Sequence, residues 1–285
     1  MSAFGSDHLR WAVRDGVGWL TIDRPEVKNS MSLEMYRGVG RAMSAADEDD
    51  AVGVVVITGV DRLFCVGGGM TADVLFEDPD AWPGMGYVPN ADGSLRDVPD
   101  DEVAVDIERE ILPFDAIRDA RTTVISAVNG LCIGGGFIIS LSSDISIASD
   151  DATFWIPELL RGVPDPWLPA LLPAYLGLER AKYLMLTAQK FGSAKALDWG
   201  LVSEVLPRAD LLARAEELAG LVLRGAPTAR AVYKAQANRY LIGHDLDAVA
   251  AASSEAEKLE GFRSFAERRA PSWIPEARRE ELGRQ

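Results

Sequence analysis

Asn129–Phe137 reads NGLCIGGGF, an apolar segment interrupted by one glycine and then by three in a row. Three consecutive glycines weaken helix and strand alike and bury nothing, so their use implies backbone that must come close to something. A second cluster upstream, Phe64–Met70 (FCVGGGM), makes the same demand. Each cluster follows a short run rich in β-branched residues, Val52–Thr58 (VGVVVIT) and Val124–Val128 (VISAV). Such runs read as buried strands. The order strand, glycine-rich turn, helix therefore occurs twice, which predicts an α/β chain with two copies of one supersecondary unit facing a shared site.

The flanking pattern extends this reading. Leu9, Trp11 and Val13 alternate up to a turn at Asp15-Gly16, and Val17–Ile22 resumes an extended pattern, as in a β-hairpin. Ser32 is placed to cap a helix whose apolar positions Leu33, Tyr36, Val39, Ala42, Met43 and Ala46 recur at helical spacing. Residues 71–105, rich in proline, glycine and acid, read as a long surface excursion. A helix is expected over Val105–Ala120, with further short strands at Ile145–Ala148 and Thr153–Ile156. Beyond 168 the chain reads as helical, over Leu168–Leu176, Glu179–Thr187, Ser193–Trp199, Ala209–Arg224 and Pro227–Tyr240, ending in a helical appendage.

Composition narrows the chemistry. The 285 residues carry 29 basic and 44 acidic side chains, a net charge of −15, which argues against nucleic acid or an anionic membrane as partner. No apolar leader opens the chain, and the most apolar windows are too short to span a bilayer, so a cytoplasmic protein is expected. Two cysteines, Cys65 and Cys132, lack metal-ligand spacing and read as small buried hydrophobes. The two histidines, His8 and His244, form no metal pair, and no G-x-S-x-G elbow is present. No metal site is expected. Carboxylates and backbone dipoles are left to do the chemistry.

Unpaired N–H groups at a tight turn opening a helix favour anions. Two such turns can aim one donor each at a single oxygen, an oxyanion hole. Neither cluster matches the dinucleotide fingerprint or the P-loop. From the residues alone, close helix–strand packing explains the glycines somewhat better than an oxyanion hole does.

Six stretches in order resemble the crotonase superfamily, the enoyl-CoA hydratase/isomerase family: RPEVKNSMS (Arg24–Ser32), VVVITG…FCVGGGM (Val54–Met70), ISAVNGLCIGGGFIISLSSDISIAS (Ile125–Ser149), ATFWIPELLRGVPDPW (Ala152–Trp167), SAKALDWGLVSEVLP (Ser193–Pro207) and GFRSFAERRAPSW (Gly261–Trp273). The resemblance implies a spiral of ββα units over residues 1–207 and a C-terminal helical region over 208–285 that assembles trimers or hexamers. It implies acyl-CoA substrates, with coenzyme A as part of the substrate and no separate cofactor. It places the two oxyanion donors at Gly68 and Gly135, flanked by Gly67, Gly69 and Gly134, and implies CoA contacts for Lys28 and Arg268.

Hydratases of this family use two glutamates. At the first position this chain has Ile138, and at the second Glu158, in IPELLRG. From the residues alone Glu158 after Pro157 reads as a first-turn acid of a helix; the resemblance makes it the acid/base. One carboxyl suffices for a double-bond isomerase, which is slightly favoured over a hydratase. Asp165, one position before the aspartate of some members, is either a second acid/base or a turn residue before Pro166. Trp155 and Trp167 are expected to wall the acyl pocket or to pack in the core. The Val66–Gly69 loop lacks the family's usual aspartate, which keeps open a hydrolase that opens a cyclic β-dicarbonyl. A non-catalytic acyl-CoA-binding protein is the alternative of another class.

Overall fold

The hairpin turn at Asp15-Gly16 holds both residues at positive φ (50° and 82°) and joins Leu9–Arg14 (β1) to Val17–Ile22 (β2) in the antiparallel register Leu9↔Ile22 to Arg14↔Val17. This is a computed structural model, which describes residues 4–75, 77, 87–89, 95–97, 111–241, 243, 254–274 and 279. The chain forms two compact units, Met1–Trp155 with Lys190–Leu241, and Ile156–Gln189 with Ile242–Gln285.

In the first unit the further strands are β3 (Val54–Gly59), β4 (Leu63–Cys65), β5 (Tyr87–Pro89), β6 (Leu95–Asp97), β7 (Thr123–Val128), β8 (Leu131–Ile133), β9 (Ile145–Ser149), β10 (Thr153–Trp155), β11 (Phe191–Gly192) and β12 (Glu204–Leu206). A six-stranded sheet has the order β1-β2-β3-β7-β9-β12, and every pairing after the hairpin is parallel. A four-stranded sheet has the order β11-β10-β8-β4, with a register shift between β4 and β8. Each glycine cluster thus leaves a strand of the small sheet, β4 or β8. β5 and β6 pair antiparallel; most of the segment read as a surface excursion lies outside the described residues.

Val54, Val55, Val56 and Ile57 are all fully buried, because both faces of a parallel strand are covered. One face meets helix α7 (Arg208–Leu223), where Val54, Val56, Ile125, Ala127 and Ile147 pack on Leu211, Ala215 and Ala219. Alanines four residues apart let that helix approach the sheet closely. Helix α1 (Leu33–Glu48) begins at Ser32, whose Oγ accepts from the Met35 N–H at 3.0 Å, and it buries the six apolar positions expected from the spacing.

Between these come α2 (Ala72–Leu75), α3 (Phe114–Asp119), α4 (Gly135–Ser142) and α6 (Ser193–Asp198), and α8 (Pro227–Ala237) follows α7. Of the helix expected over Val105–Ala120, the residues before 111 lie outside the described ones, and the described part is broken at Leu112–Pro113, with α3 starting only at Phe114. Helix α4 packs on the small sheet through Phe137, whose ring meets Phe154 (5.6 Å) and Phe191 (5.9 Å) edge-on. Helix α8 is tied down by buried Lys234, which pairs with Asp144 at 2.8 Å and donates to the carbonyls of Ile117 and Thr122.

The second unit contains a 3-10 turn at Glu158–Arg161, helix α5 (Trp167–Thr187) and helix α9 (Glu255–Ala266). Gly177 (φ 71°, ψ 162°) interrupts α5, as the two separate helical readings on either side of it implied. Helix α9 crosses the 3-10 turn at Gly261, where a Cβ would lie 2.1 Å from the Arg161 carbonyl oxygen. No described helix is long and apolar enough to cross a membrane.

Candidate active site

Two buried asparagines brace the glycine-rich turns of the first unit. Asn29, at φ 57°, donates to the carbonyls of Ile22 (3.1 Å) and Leu63 (2.8 Å), and its Oδ1 accepts from the Arg24 N–H. Asn129 accepts from the Gly59 N–H at 3.1 Å and donates to the carbonyls of Gly59 (3.0 Å) and Asp61 (3.1 Å). Each amide side chain replaces ladder bonds where strands give way to turns. These roles are carried by RPEVKNS and by the NG of the opening stretch. Neither asparagine was singled out from the sequence, because an amide's partners lie far away in the chain.

An inventory of the glycine amides separates structural from open donors. Gly67 (φ 88°) directs its N–H toward the Cys65 sulfur at 3.4 Å, and Gly69 donates to the Met31 carbonyl at 2.9 Å. Gly134 (φ 53°) donates to the Trp155 carbonyl at 3.0 Å and serves as N-cap of α4. The N–H groups of Gly68, Gly135 and Gly136 have no partner among the described residues. The two turns touch, since a Cβ on Gly67 would lie 3.2 Å from the Gly135 nitrogen. Open amides at a helix start beside a second open amide are chemically able to donate to a polarised oxygen.

Packing accounts for much of the rest. A Cβ on Gly136 would lie 2.2 Å from the Cys65 carbonyl oxygen, and one on Gly69 would lie 2.5 Å from the Leu75 nitrogen. At Gly135 the crowding atom is the Tyr36 hydroxyl oxygen, 2.2 Å from the Cβ position, and at Gly68 there is ordinary room, with Tyr36 Cε2 at 3.6 Å. Tyr36, which the helical spacing marked only as a core position, thus borders both turns.

Glu158 opens the 3-10 turn of the second unit after Pro157, as a first-turn acid. Its Oε2 is buried with no hydrogen-bond partner among the described residues. Burial first, and then the charge of Asp165, push its carboxyl up to about 8, against smaller opposing effects of its own backbone and Arg161. Such a carboxyl holds a proton near neutral pH and can still release it. Asp165 is within electrostatic reach of Glu158, while its Oδ1 accepts from the Leu168 N–H at 2.7 Å and so closes the first turn of α5. Arg161 lies over the Phe265 ring at 4.2 Å, its guanidinium shifted downward mainly by burial.

Ile138 is buried on α4 and carries no proton-transfer group. The Lys190 Nζ lies over the Trp155 ring at 4.2 Å, and Trp167 is buried at the start of α5. Lys28 and Arg268 are exposed, both at left-handed φ (59° and 53°), each in its own unit. Burial raises the Cys65 thiol to about 12 and the Cys132 thiol well above its ordinary value, so neither is a nucleophile. No group of three metal-ligating side chains occurs among the described residues. A surface cavity of about 820 Å³ between β1, β2 and α7, lined by Arg10, Arg14, Trp19 and Leu212 among others, contains none of the predicted site residues.

Comparison with known proteins gives a consistent result. The family model described as enoyl-CoA hydratase/isomerase matches residues 12–78 and 108–276. The chain is 33% identical over 270 residues to a mevalonyl-coenzyme A hydratase of Aspergillus fumigatus, covering 90% of each chain. It is 29% identical over 267 residues to carnitinyl-CoA dehydratase of Escherichia coli, covering 89% of this chain and 93% of that one. Among solved structures, an enoyl-CoA hydratase from Mycobacterium avium subsp. paratuberculosis superposes with a TM-score of 0.72 at 27% identity, over 94% of this chain and 99% of that one.

Proposed function

Because the chain belongs to the enoyl-CoA hydratase/isomerase family, we propose that it binds an acyl-CoA thioester with the carbonyl oxygen on the Gly68 and Gly135 amides and moves a proton with Glu158. The observation that carries this reading is the Glu158 carboxyl, buried at Oε2, unpartnered among the described residues and raised to about 8. A carboxyl so tuned abstracts a proton next to a thioester and keeps it for return. The two amides stabilise the negative oxygen of the enolate formed in between.

A double-bond shift is the reaction that one carboxyl completes alone. With a 3-enoyl thioester, the Glu158 carboxylate takes a C2 proton, and the C–H electron pair forms C1=C2 as the carbonyl pair moves onto the thioester oxygen. The C2=C3 bond forms only when this dienolate collapses on reprotonation. The same carboxyl then delivers its proton to C4 as the C3=C4 bond is lost. No water or cofactor is consumed, and Ile138 requires no replacement. Lys28 and Arg268 are the cations that this reading assigns to the CoA phosphates, and assembly into trimers or hexamers belongs to it.

Addition or loss of water across C2=C3 is the second reading, favoured by the hydratase and dehydratase names of the relatives. There Glu158 has to handle the water proton, with Asp165 as the neighbouring carboxylate. The test follows 3-enoyl-CoA and 2-enoyl-CoA separately in wild type and Glu158→Gln. A shift of the double bond without label uptake from oxygen-18 water supports isomerisation, and uptake at C3 supports hydration. Turnover of both substrates unchanged by Glu158→Gln rules out the assigned role.

A further inference from the structure

Tyr36 stands on the first unit one helical turn beyond capping Ser32, and its backbone N–H donates to the Ser32 carbonyl at 3.0 Å. Its side chain is 4% exposed, and its ring lies edge-on to Phe114 with centroids 6.0 Å apart. The ring is therefore held by helix and core, which fixes where the hydroxyl ends. That end point is the seam of the two glycine turns: the hydroxyl oxygen is 2.2 Å from the Cβ position of Gly135 and 3.8 Å from that of Gly68. The open amides of Gly68 and Gly135 thus share a neighbour that is itself a hydrogen-bond donor.

We propose that the Tyr36 hydroxyl is a third hydrogen-bond donor to the oxygen held by the Gly68 and Gly135 amides, stabilising the enolate more than the ground-state carbonyl. The inference rests on the acyl-CoA reading above. Two amides are fixed by backbone, while the phenol supplies a neutral O–H whose direction adapts as charge develops on the oxygen. It takes up no proton and leaves proton transfer to Glu158.

The test is Tyr36→Phe, which keeps the ring and its packing. Acetoacetyl-CoA is the probe, because its enolate absorbs in the near ultraviolet and reports directly on the oxygen. The expected result is an enolate-to-keto ratio of the bound probe about tenfold lower in the variant, with kcat reduced about tenfold to hundredfold. KM and thermal stability stay close to wild type. Equal enolate ratios and equal kcat in the two proteins overturn the proposal for Tyr36 and leave the acyl-CoA reading standing. Wild type that neither binds the probe nor enolises it overturns that reading, and the Tyr36 role with it. A loss of kcat matched by a loss of thermal stability, with the enolate ratio unchanged, assigns the hydroxyl to packing.

Discussion

At Gly68 and Gly135 the polar groups are uncharged backbone amides, whereas at Glu158 the polar group is a carboxyl whose Oε2 is buried without a partner among the described residues. The first region is constrained by space. Its glycines are crowded by the Cys65 carbonyl, the Leu75 nitrogen and the Tyr36 hydroxyl. The second is constrained by charge, since burial and Asp165 oppose ionisation. Amides held by a fold need no tuning by pH, while a carboxyl stripped of water gains a usable pKa at the expense of stability. The first region therefore responds to added volume and the second to pH.

The largest effect is expected at the carboxyl. Glu158→Gln should reduce proton transfer by on the order of a thousandfold, read as kcat on a 3-enoyl thioester. The same change should favour folding as pH rises. The folded carboxyl titrates near 8 and the unfolded one near 4.5. Below 4.5 both forms are protonated, and no penalty exists. Between those values the unfolded chain ionises while the folded one does not, so wild type loses stability relative to Glu158→Gln, by about 3 kcal/mol from pH 4.5 to 7. Denaturant melts at pH 4.5, 7 and 8.5 check this, and a gap that does not widen breaks the charge side of the comparison. If the Glu158 carboxylate is the base, as proposed, kcat/KM of the wild type should rise with pH toward a plateau above about 8.

Next come the crowded glycines. Gly136→Ala puts a methyl 2.2 Å from backbone, the Cys65 carbonyl oxygen, and should cost about 3 kcal/mol or more in denaturant unfolding. Gly135→Ala meets a side chain and not backbone, the Tyr36 hydroxyl at the end of a packed ring, and should cost about 1–3 kcal/mol as the ring shifts. Gly68→Ala has room, with Tyr36 Cε2 at 3.6 Å, and should stay within about 0.5 kcal/mol of wild type while keeping its amide donor and most of its activity. Equal penalties at 136 and 68 would show that backbone freedom, not local space, explains the triplets.

Much of the molecule was legible in the chain because its signals are local. Alternation marked β1 and β2, β-branched runs marked β3 and β7, and Ser32 with its following apolar spacing marked α1. The break at Gly177 was visible as two helical readings. The three-residue strands β4 and β8 were not, since so short a run carries no periodicity and exists through its neighbours. The six ordered motifs carried the family, and the 12–78 and 108–276 match agrees with them. Their internal logic was hidden: Asn29 and Asn129 bind carbonyls that lie up to 70 residues away along the chain.

The sequence by itself determined where the glycines cluster, at 67–69 and 134–136, and the identities of Glu158 and Ile138 on which the resemblance to the family's hydratases turns. Glycine spacing and residue identity are local facts, and they survive without coordinates. Tertiary structure decided what presses on each glycine, which amides are spent on Met31 and Trp155 and which stay open, and that the hydroxyl of Tyr36 meets both turns. It also decided that the Glu158 carboxyl sits near 8. Crowding, hydrogen-bond partners and desolvation depend on atoms brought from distant parts of the chain, and only packing brings them together.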